Sequence, residues 1–291
     1  MLTSAEIRQA VQAALREDIG SGDVTTLAVV PEEARVSAVM VARERLVLAG
    51  LDLAEAAFLE LCPQASIERG ASDGETVPAG FPLLKIWRAP ARPILSAERV
   101  ALNFAQRLSG VATLTARFVE AAAGTGARIL DTRKTTPGWR RLEKYAVVCG
   151  GGVNHRFGLF DRVLIKDNHL AALRSEAPNA IEAAVRRARA SHPQMEVEVE
   201  AGAPEEVEQA LRAGADIILL DNMSVEQLRA AVLRIAGRAK TEASGGVNLS
   251  AVRAIAGTGV DFISVGALTH SAPAVDIALD FTADTDPTHD R

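Results

Sequence analysis

The stretch MEVEVEAGAPEEVEQALRAGADIILLD, residues 195–221, contains a strand pattern, a helix pattern and a second strand pattern in that order. Its helix pattern begins at a proline and carries apolar residues at helical spacing. The same alternation extends in both directions, with predicted strands at 128–131, 162–165, 195–199, 216–220, 241–243 and 261–265, and predicted helices at 179–190, 204–213, 224–235 and 249–256. Strands that alternate with helices in this way indicate parallel βαβ units.

The predicted strands end in polar or glycine residues: Lys166, Glu200, Asp221, Ser244 and Gly266. The last four follow one another at spacings of 21, 23 and 22 residues. Units this short, with apolar strands, favour an α/β barrel over a doubly wound sheet with long crossovers. Because six strands are predicted rather than eight, the barrel is expected to be open and incomplete.

The N-terminal region lacks this regular alternation. Its patterns predict a helix with Ser4 as N-cap, a strand at 34–42, a helix at 52–61, a strand at 83–87 and a long amphipathic helix at 96–123. Helices and strands mixed in this manner are typical of an α+β domain. The sequence therefore predicts an N-terminal domain over residues 1–110 and a barrel domain over residues 111–269.

Composition excludes several classes of protein. The 291 residues include 37 acidic and 32 basic side chains, for a net charge of −5, and only 4% are aromatic, which argues against a nucleic-acid binder. No apolar stretch approaches the ~20 residues of a membrane span. The first residues show no signal-peptide pattern, and Cys62 and Cys149 fit no zinc or redox spacing. We expect a cytoplasmic protein.

The strand ends carry a charge pattern that packing alone does not explain. Residues 133–166 contain eight basic and two acidic side chains, a local charge of +6. Glu200 and Asp221 follow on the next predicted strand ends. Active sites of α/β barrels lie at the carboxyl ends of the strands, so this set indicates a site for an anionic, metal-chelating substrate. The alternative is that strand ends are polar because they lie near solvent.

The strand at 195–200 places three glutamates on one face, because side chains alternate along a strand. Buried parallel strands are normally apolar, so these carboxylates need cationic partners. We expect Glu196 to form a structural ion pair and Glu200, at the strand end, to be functional. For Glu198 the sequence leaves both roles open.

Two glycine-containing segments, Ser244-Gly245-Gly246 and Val265-Gly266-Ala267, each follow a strand and precede a helix pattern. Backbone N–H groups at such positions bind phosphate, and the loops after the last strands of a barrel are its usual phosphate site. His155 adjoins Arg156 after a glycine run, which lets the backbone approach a ligand closely.

These residues occur within an ordered set of motifs: EDIG (17–20) with Gly22-Asp23, ERVALN (98–103), TRKTTPG (132–138), EKY (143–145), NHR (154–156), KDNH (166–169), LDN (220–222) and EASGG (242–246). In this combination the chain resembles the quinolinate phosphoribosyltransferases over nearly its whole length. The resemblance implies an N-terminal α/β sandwich completed by the C-terminal tail 270–291, together with an open barrel. It also implies a homodimer with shared active sites, with a hexamer left open.

The implied reaction converts quinolinate and phosphoribosyl pyrophosphate, with Mg²⁺, into nicotinate mononucleotide, pyrophosphate and CO2. This is the entry of the de novo pathway into NAD. The resemblance implies that Lys134, Glu200 and Asp221 are catalytic and that Glu200 and Asp221 hold the metal. The substrate-binding residues it implies are Arg99 from the neighbouring subunit, Thr132, Arg133, Lys134, His155, Arg156, Lys166, Glu200, Asp221, Ser244, Gly245, Gly246, Val265, Gly266 and Ala267. Arg140 and Lys144, four residues apart on one predicted helix face, are expected to guide pyrophosphate.

Three alternatives remain at this point. A related phosphoribosyltransferase would act on nicotinate or another anionic acceptor. A biotin- or lipoyl-type carrier would use the turn at 73–80, with Lys85 as its modified residue. A phosphate-binding aldolase would use Lys166 as a Schiff base.

Overall fold

The computed structural model describes residues 1–283. The part of the predicted C-terminal tail beyond Ala283 lies outside the described residues. In chain order the first elements are α1 (Ser4–Ile19), α2 (Val24–Val29), β1 (Arg35–Ala42), β2 (Leu46–Val47), α3 (Leu51–Leu61), β3 (Ser66–Arg69), β4 (Thr76–Val77), β5 (Pro82–Pro90) and α4 (Ala91–Ala122).

The remaining elements are β6 (Arg128–Leu130), α5 (Arg140–Cys149), β7 (Val163–Ile165), α6 (Asp167–Ala172), α7 (Ala180–Ser191), β8 (Val197–Ala201), α8 (Pro204–Ala213), β9 (Ile217–Asp221), α9 (Val225–Ile235), β10 (Lys240–Ser244), α10 (Val252–Ala256), β11 (Phe262–Ser264), α11 (Ala267–His270) and β12 (Ile277–Ala283). None of the helices in this described part of the chain is long and apolar enough to cross a membrane.

The chain divides into two compact units. The first comprises residues 1–114, 141–151 and the chain from 272 onward, and the second comprises 115–140 and 152–271. The first unit contains a four-stranded sheet in the order β12-β1-β5-β3, in which every neighbouring pair is antiparallel, and a two-stranded sheet of β2 and β4. The last strand of the described chain therefore pairs with the first.

The second unit is built on a six-stranded parallel sheet in the order β6-β11-β10-β9-β8-β7. Its central strand β9 is buried from Ile217 to Leu220, as expected for a parallel strand covered on both faces. The order begins at β6 and ends at β7, so the barrel is open. The predicted mixed α/β architecture with an incomplete barrel of six parallel strands is confirmed.

Two local predictions are wrong in detail. The N-cap of α1 is Thr3 rather than Ser4, because the Thr3 hydroxyl and the Glu6 carboxylate form a capping box with each other's backbone N–H groups. The helix predicted at 249–256 begins only at Val252, because Asn248 first accepts hydrogen bonds from the backbone N–H groups of Ser250 and Ala251 in a turn.

Candidate active site

Five of the predicted site residues lie at the carboxyl ends of the parallel strands in the second unit. Lys166 directly follows β7, Glu200 lies near the end of β8, Asp221 and Ser244 end β9 and β10, and Gly266 follows β11. The carboxyl ends of parallel strands meet at one edge of a sheet. The structure thus brings these five residues together at that edge.

An ion pair joins the two residues that follow β7 and end β8. The Lys166 Nζ lies 2.8 Å from Oε2 of Glu200, and the lysine side chain is 44% exposed whereas that of the glutamate is 14% exposed. A cationic and an anionic group are thus held side by side at the sheet edge. This contact also argues against a Schiff-base role for Lys166, which needs an uncharged amine in an apolar pocket.

Asn222 contacts the last residues of both β9 and β10. Its backbone N–H donates to the Ser244 carbonyl at 3.0 Å, and its side-chain amide donates to Oδ2 of Asp221 at 2.6 Å. Asn222 and Gly245 both have positive φ, +53° and +94°, and a Cβ at Gly245 would overlap the Asn222 amide oxygen. Only glycine permits this close approach, which leaves the Ser244-Gly245-Gly246 backbone open to a ligand.

The loop after β11 lies against the loop after β6. The Thr269 hydroxyl donates to the Lys134 carbonyl at 2.7 Å. A Cβ at Gly266 would lie 3.1 Å from both the His270 Nε2 and the Lys134 Cδ. Lys134 and His270 therefore flank the glycine that the sequence assigns to phosphate.

The helices that follow the two glycine segments are short. Val252–Ala256 and Ala267–His270 are short helices of five and four residues. The backbone N–H of Val265 donates to the Leu130 carbonyl at 2.9 Å and so belongs to the sheet. A phosphate at this edge would be held by loop N–H groups rather than by the dipole of a full helix.

The cationic part of the edge is centred on Arg133 and Arg156. The Nε–H of each guanidinium is buried and has no hydrogen-bond partner within residues 1–283. Arg156 donates from Nη1 to the Arg162 carbonyl at 3.2 Å. Burial, and then the positive charge of Arg133, hold the pKa of Arg156 below its ordinary value. Two neighbouring guanidinium groups with buried donors that lack a partner in the described chain have the chemistry to bind an anion.

Arg140 forms hydrogen bonds to Arg133 and to residues near Arg133 and Arg156. Its guanidinium donates to the Thr135 hydroxyl at 3.0 Å, to the Phe157 carbonyl at 3.1 Å and to the Arg133 carbonyl at 3.5 Å. Lys144, its predicted partner on the same helix face, is only 1% exposed. These contacts give Arg140 a structural role, and the pyrophosphate role expected for Arg140 and Lys144 stays a prediction.

The ring of His155, the residue before Arg156, faces two buried glutamates. Its Nε2 lies 3.2 Å from Oε2 of Glu198 and 3.6 Å from Oε2 of Glu242. Its Nδ1 accepts a hydrogen bond of 2.7 Å from the backbone N–H of Arg156. Burial, and next the charge of Glu198, raise the pKa of Glu242 to about 7. Both ring nitrogens of His155 are thus engaged by the protein.

The three glutamates around β8 have separate roles. Glu196 forms an ion pair with Arg162, Nη2 to Oε2 at 3.1 Å, and its side chain is 61% exposed, so the predicted structural pair is confirmed. Glu198 is fully buried and also contacts Arg162, at 3.4 Å. Glu200 is the one at the strand end.

Two further predicted residues have clear local positions. The Thr132 hydroxyl accepts a hydrogen bond of 3.0 Å from the backbone N–H of Lys134, which fixes the turn after β6. Arg99 lies in α4 of the first unit and is exposed.

Comparison with known proteins identifies the family. Residues 23–109 match the family described as "Quinolinate phosphoribosyl transferase, N-terminal domain", and residues 111–280 match "Quinolinate phosphoribosyl transferase, C-terminal domain". The chain belongs to the quinolinate phosphoribosyltransferase family. The resemblance inferred from the motifs is therefore confirmed, as is the prediction of an enzyme of this family.

Individual members of the quinolinate phosphoribosyltransferase family are similar along the whole chain. The "nicotinate-nucleotide pyrophosphorylase (carboxylating)" of Mycobacterium leprae is 45% identical over 289 residues, 96% of this chain and 100% of the relative. A "probable" enzyme of the same name from Bacillus subtilis is 41% identical, over 91% of this chain and 90% of the relative. The structure of the Francisella tularensis protein superposes with a TM-score of 0.90 at 40% identity, covering 97% of this chain and 98% of that one.

Sequence reasoning quoted Asn222 and Glu242 within the motifs LDN and EASGG but gave neither a role, and it did not single out Thr269 or His270, which also shape this edge. Asn222 and His270 follow a predicted site residue by one and four positions, and that proximity was the available signal. Glu242 lies inside a predicted strand, where a carboxylate departs from the apolar pattern as Glu198 does.

Proposed function

We propose that this protein transfers the phosphoribosyl group of phosphoribosyl pyrophosphate to quinolinate, with loss of one carboxylate as CO2, in NAD biosynthesis. The observation that carries the proposal is the pair of buried Nε–H groups of Arg133 and Arg156, neither of which has a hydrogen-bond partner within residues 1–283. Planar guanidinium groups match the geometry of carboxylates, and quinolinate carries two.

The acceptor site is assigned to Arg133, Arg156, Lys134 and Lys166, with Thr132 fixing the loop. The ion pair of Lys166 with Glu200 supports a boundary here between the acceptor and the ribosyl donor, because one partner is cationic and the other anionic. His155 directly precedes Arg156, between α5 and β7, and its ring faces two buried glutamates.

The ribosyl donor is assigned to the acidic and glycine-lined part of the edge. Carboxylate oxygens are the protein ligands of hard cations, so Glu200 and Asp221, on adjacent strands, fit Mg²⁺. When bound, Mg²⁺ supplies positive charge that stabilises the leaving pyrophosphate. The open backbone of Ser244-Gly245-Gly246 and of Gly266-Ala267 fits the 5′-phosphate, while the N–H of Val265 is used within the sheet.

The chain's own residues then perform positioning and charge stabilisation. The pyridine nitrogen of quinolinate forms a bond to the ribose C1′ as the bond from C1′ to pyrophosphate breaks. Glu200 and Asp221 stabilise the positive charge that develops on the ribosyl group, and Lys134 and Lys166 hold the anionic groups in place. The bond to the 2-carboxylate breaks next, and its electron pair is stabilised by the adjacent pyridinium nitrogen before C2 takes up a proton.

A homodimer with shared sites is part of the proposal, with a hexamer left open, and a cytoplasmic location remains a prediction. Arg99 of one subunit would complete the acceptor site of its partner. If so, Arg99→Ala and Lys134→Ala homodimers are each nearly inactive, but mixing them by coexpression restores roughly a quarter of the sites in a two-fold dimer. A mixed sample as inactive as its parents, with subunit exchange confirmed by mass, would refute shared sites.

The main alternative within the family is an enzyme that uses nicotinate. It is tested by assaying quinolinate, nicotinate and nicotinamide in parallel, following release of pyrophosphate with all three acceptors and release of the 2-carboxylate as CO2 with quinolinate. We expect turnover of quinolinate only, because nicotinate leaves buried cations unpaired, and such mispairing costs factors of ~10⁴. Comparable turnover of nicotinate would overturn the carboxylating assignment.

The carrier alternative has no support in the structure. Lys85 lies within β5 between β1 and β3, 3.9 Å from Oε1 of Glu68, rather than at an exposed turn. The turn around Asp73 serves the first unit instead, since this carboxylate accepts hydrogen bonds from the first residues of α3.

A further inference from the structure

The buried cluster of His155, Glu198 and Glu242 has no part in the chemistry assigned above. Glu198 and Glu242 are both fully buried, in β8 and β10, on either side of β9. Neither carboxylate oxygen of Glu242 has a hydrogen-bond partner in the part of the chain that the structure describes. Two buried carboxyl groups are costly, so their presence behind the acceptor site requires a reason.

The hydrogen bonds of His155 fix which of its nitrogens carries the proton. Nδ1 accepts from the Arg156 backbone N–H at 2.7 Å, so the ring proton of the neutral imidazole is on Nε2. Nε2 points at Glu198 and Glu242, at 3.2 and 3.6 Å. The ring is therefore a rigid link between the carboxyl cluster on one side and the Arg156 backbone on the other.

A metal ion does not explain the cluster. The three side chains offer ligand atoms that all lie within 4.8 Å of one another. A metal would need the lone pair of Nε2, however, and that nitrogen carries the ring proton. A cation would also be repelled by Arg162, whose Nη1 lies 3.4 Å from Glu198.

The surroundings of Glu242 explain how two carboxyl groups are tolerated. The groups that face it are Glu198 from β8, His155 from the segment between α5 and β7, Ser264 from β11 and the positive charge of Arg162 beside β7. Because burial and Glu198 raise the pKa of Glu242 to about 7, its neutral form is favoured below that pH. The carboxylate of Glu198 then lies 3.2 Å from Nε2, and an uncharged Glu242 beside it avoids a second buried negative charge.

We propose that Glu198 is a positioning residue of the acceptor site, with Glu242 packed beside it: Glu198 accepts from Nε2–H of His155 at 3.2 Å, and the same ring accepts, through Nδ1, from the backbone N–H of Arg156. The guanidinium of Arg156 carries one of the two unpartnered Nε–H groups that receive the substrate carboxylates. His155 thus acts through Arg156 and not by direct contact of its ring nitrogens with substrate. This inference rests on the acceptor site proposed above.

The first experiment compares Glu198→Gln with Glu196→Gln. Both glutamates contact Arg162, and both substitutions remove one negative charge, so Glu196 is a matched control. By titration calorimetry without the ribosyl donor, we expect Glu198→Gln to weaken quinolinate binding roughly 10- to 100-fold, as for residues that orient a ligating histidine. The KM for phosphoribosyl pyrophosphate should change less than about threefold, and Glu196→Gln should change neither beyond about twofold.

Glu242 is tested by a pair of substitutions. Glu242→Leu removes the polar group that lies 3.6 Å from Nε2, beside Glu198, and should weaken quinolinate binding by roughly three- to tenfold. Glu242→Gln, which resembles the neutral acid, should keep an affinity near that of the wild type at pH 7. If the two glutamates only stabilised the fold, their substitution would weaken the binding of quinolinate and of the ribosyl donor alike. Equal losses of affinity for the two substrates would therefore overturn the inference. Wild-type quinolinate affinity in both Glu198→Gln and Glu242→Leu would overturn it as well.

The wild-type protein provides a test that depends on no variant. With ¹⁵N-labelled histidine, the His155 ring should show a protonated Nε2 and an unprotonated Nδ1, both before and after saturation with quinolinate. Protonation of Nδ1 on quinolinate binding would mean direct contact with substrate and would refute the positioning role. If the wild-type protein does not bind quinolinate in calorimetry, the proposed function itself fails, a result distinct from binding that the variants leave unchanged.

Discussion

Asp73 in the first unit and the Arg133–Arg156 pair in the second unit are both charged groups removed from bulk water, but their hydrogen bonding differs. The Asp73 carboxylate accepts from the backbone N–H groups of Gly50 and Leu51, at 2.7 and 3.0 Å, and from the Tyr145 hydroxyl at 2.8 Å. Burial, and then the charge of Asp73, raise the pKa of Tyr145, which keeps its hydroxyl a donor.

The guanidinium groups of Arg133 and Arg156 instead each keep a buried Nε–H with no partner among the described residues. A fully hydrogen-bonded charge stabilises the folded chain, whereas an unpartnered buried charge destabilises it until a ligand supplies the partner. The comparison distinguishes a structural polar cluster from a binding site without reference to any relative. It also predicts opposite effects of mutation in the two units.

The largest expected effect is on activity in the second unit. Arg133→Ala or Arg156→Ala should lower kcat/KM for quinolinate by about 10³-fold or more, because the site is built to pair each carboxylate. The melting temperature should stay level or rise, since a buried positive charge is removed. Arg187→Ala, at a surface ion pair with Glu176, is the control and should leave both quantities unchanged. If Arg133→Ala or Arg156→Ala lowered the melting temperature but kept its activity, these arginines would be structural residues and not binding residues.

A smaller loss is expected in the phosphate loop. Gly245→Ala forces a Cβ into the Asn222 amide at φ +94° and should raise the KM for phosphoribosyl pyrophosphate by about 10- to 100-fold. Gly214→Ala tests backbone strain alone, because Gly214 also has positive φ, +76°, but has open space around its Cα. Steady-state kinetics with each substrate varied in turn distinguishes the two. An unchanged donor KM in Gly245→Ala would remove this loop from the donor site.

In the first unit the effect should appear as stability. Asp73→Ala removes the side chain that caps α3 and binds Tyr145, and should cost about 2 to 3 kcal/mol of unfolding free energy in urea. Asp52→Ala, which breaks a surface ion pair with Arg69 near the same helix start, should cost less than about 1 kcal/mol. The folded fraction of each variant should keep its kcat. Equal costs in both variants would contradict the structural role of Asp73.

The smallest effect concerns the pH dependence of stability. The pKa of Glu242 is raised to about 7, whereas glutamate in an unfolded chain ionises near pH ~4.3. Burial of Glu242 therefore costs nothing below pH ~4, increasingly more as the pH rises from ~4.3 to 7, and a constant amount above pH 7, where the native carboxyl is also ionised. Glu242→Gln should be more stable than the wild type at pH 8, by on the order of 1 kcal/mol, and the difference should vanish near pH 4. Denaturant titrations at both pH values measure this, and a pH-independent difference would rule out ionisation of Glu242.

The strand ends could be predicted because apolar periodicity is local along the chain, and the parallel order then places Lys166, Glu200 and Asp221 at one edge. The pairing of Glu198 and Glu242 across β9 could not be predicted, because it depends on sheet register between segments more than 40 residues apart. The orientation of the His155 ring could not be predicted either, since it depends on which hydrogen bonds its two nitrogens make. The predicted N-cap of α1 was wrong by one residue, because Thr3 and Ser4 are adjacent and both carry a hydroxyl group that can cap a helix.

The position of β12 in the sheet of the first unit has a consequence for biosynthesis. Its partner β1 (Arg35–Ala42) leaves the ribosome more than 200 residues earlier, and the whole of the second unit is translated in between. Nascent domains fold as their residues emerge from the ribosome. The barrel strands can therefore assemble first, while the edge of β1 that pairs with β12 is still unpaired. An unpaired strand edge invites association with other chains. Slow translation or early termination near the C-terminus should therefore yield chains with a formed barrel and an aggregation-prone first unit.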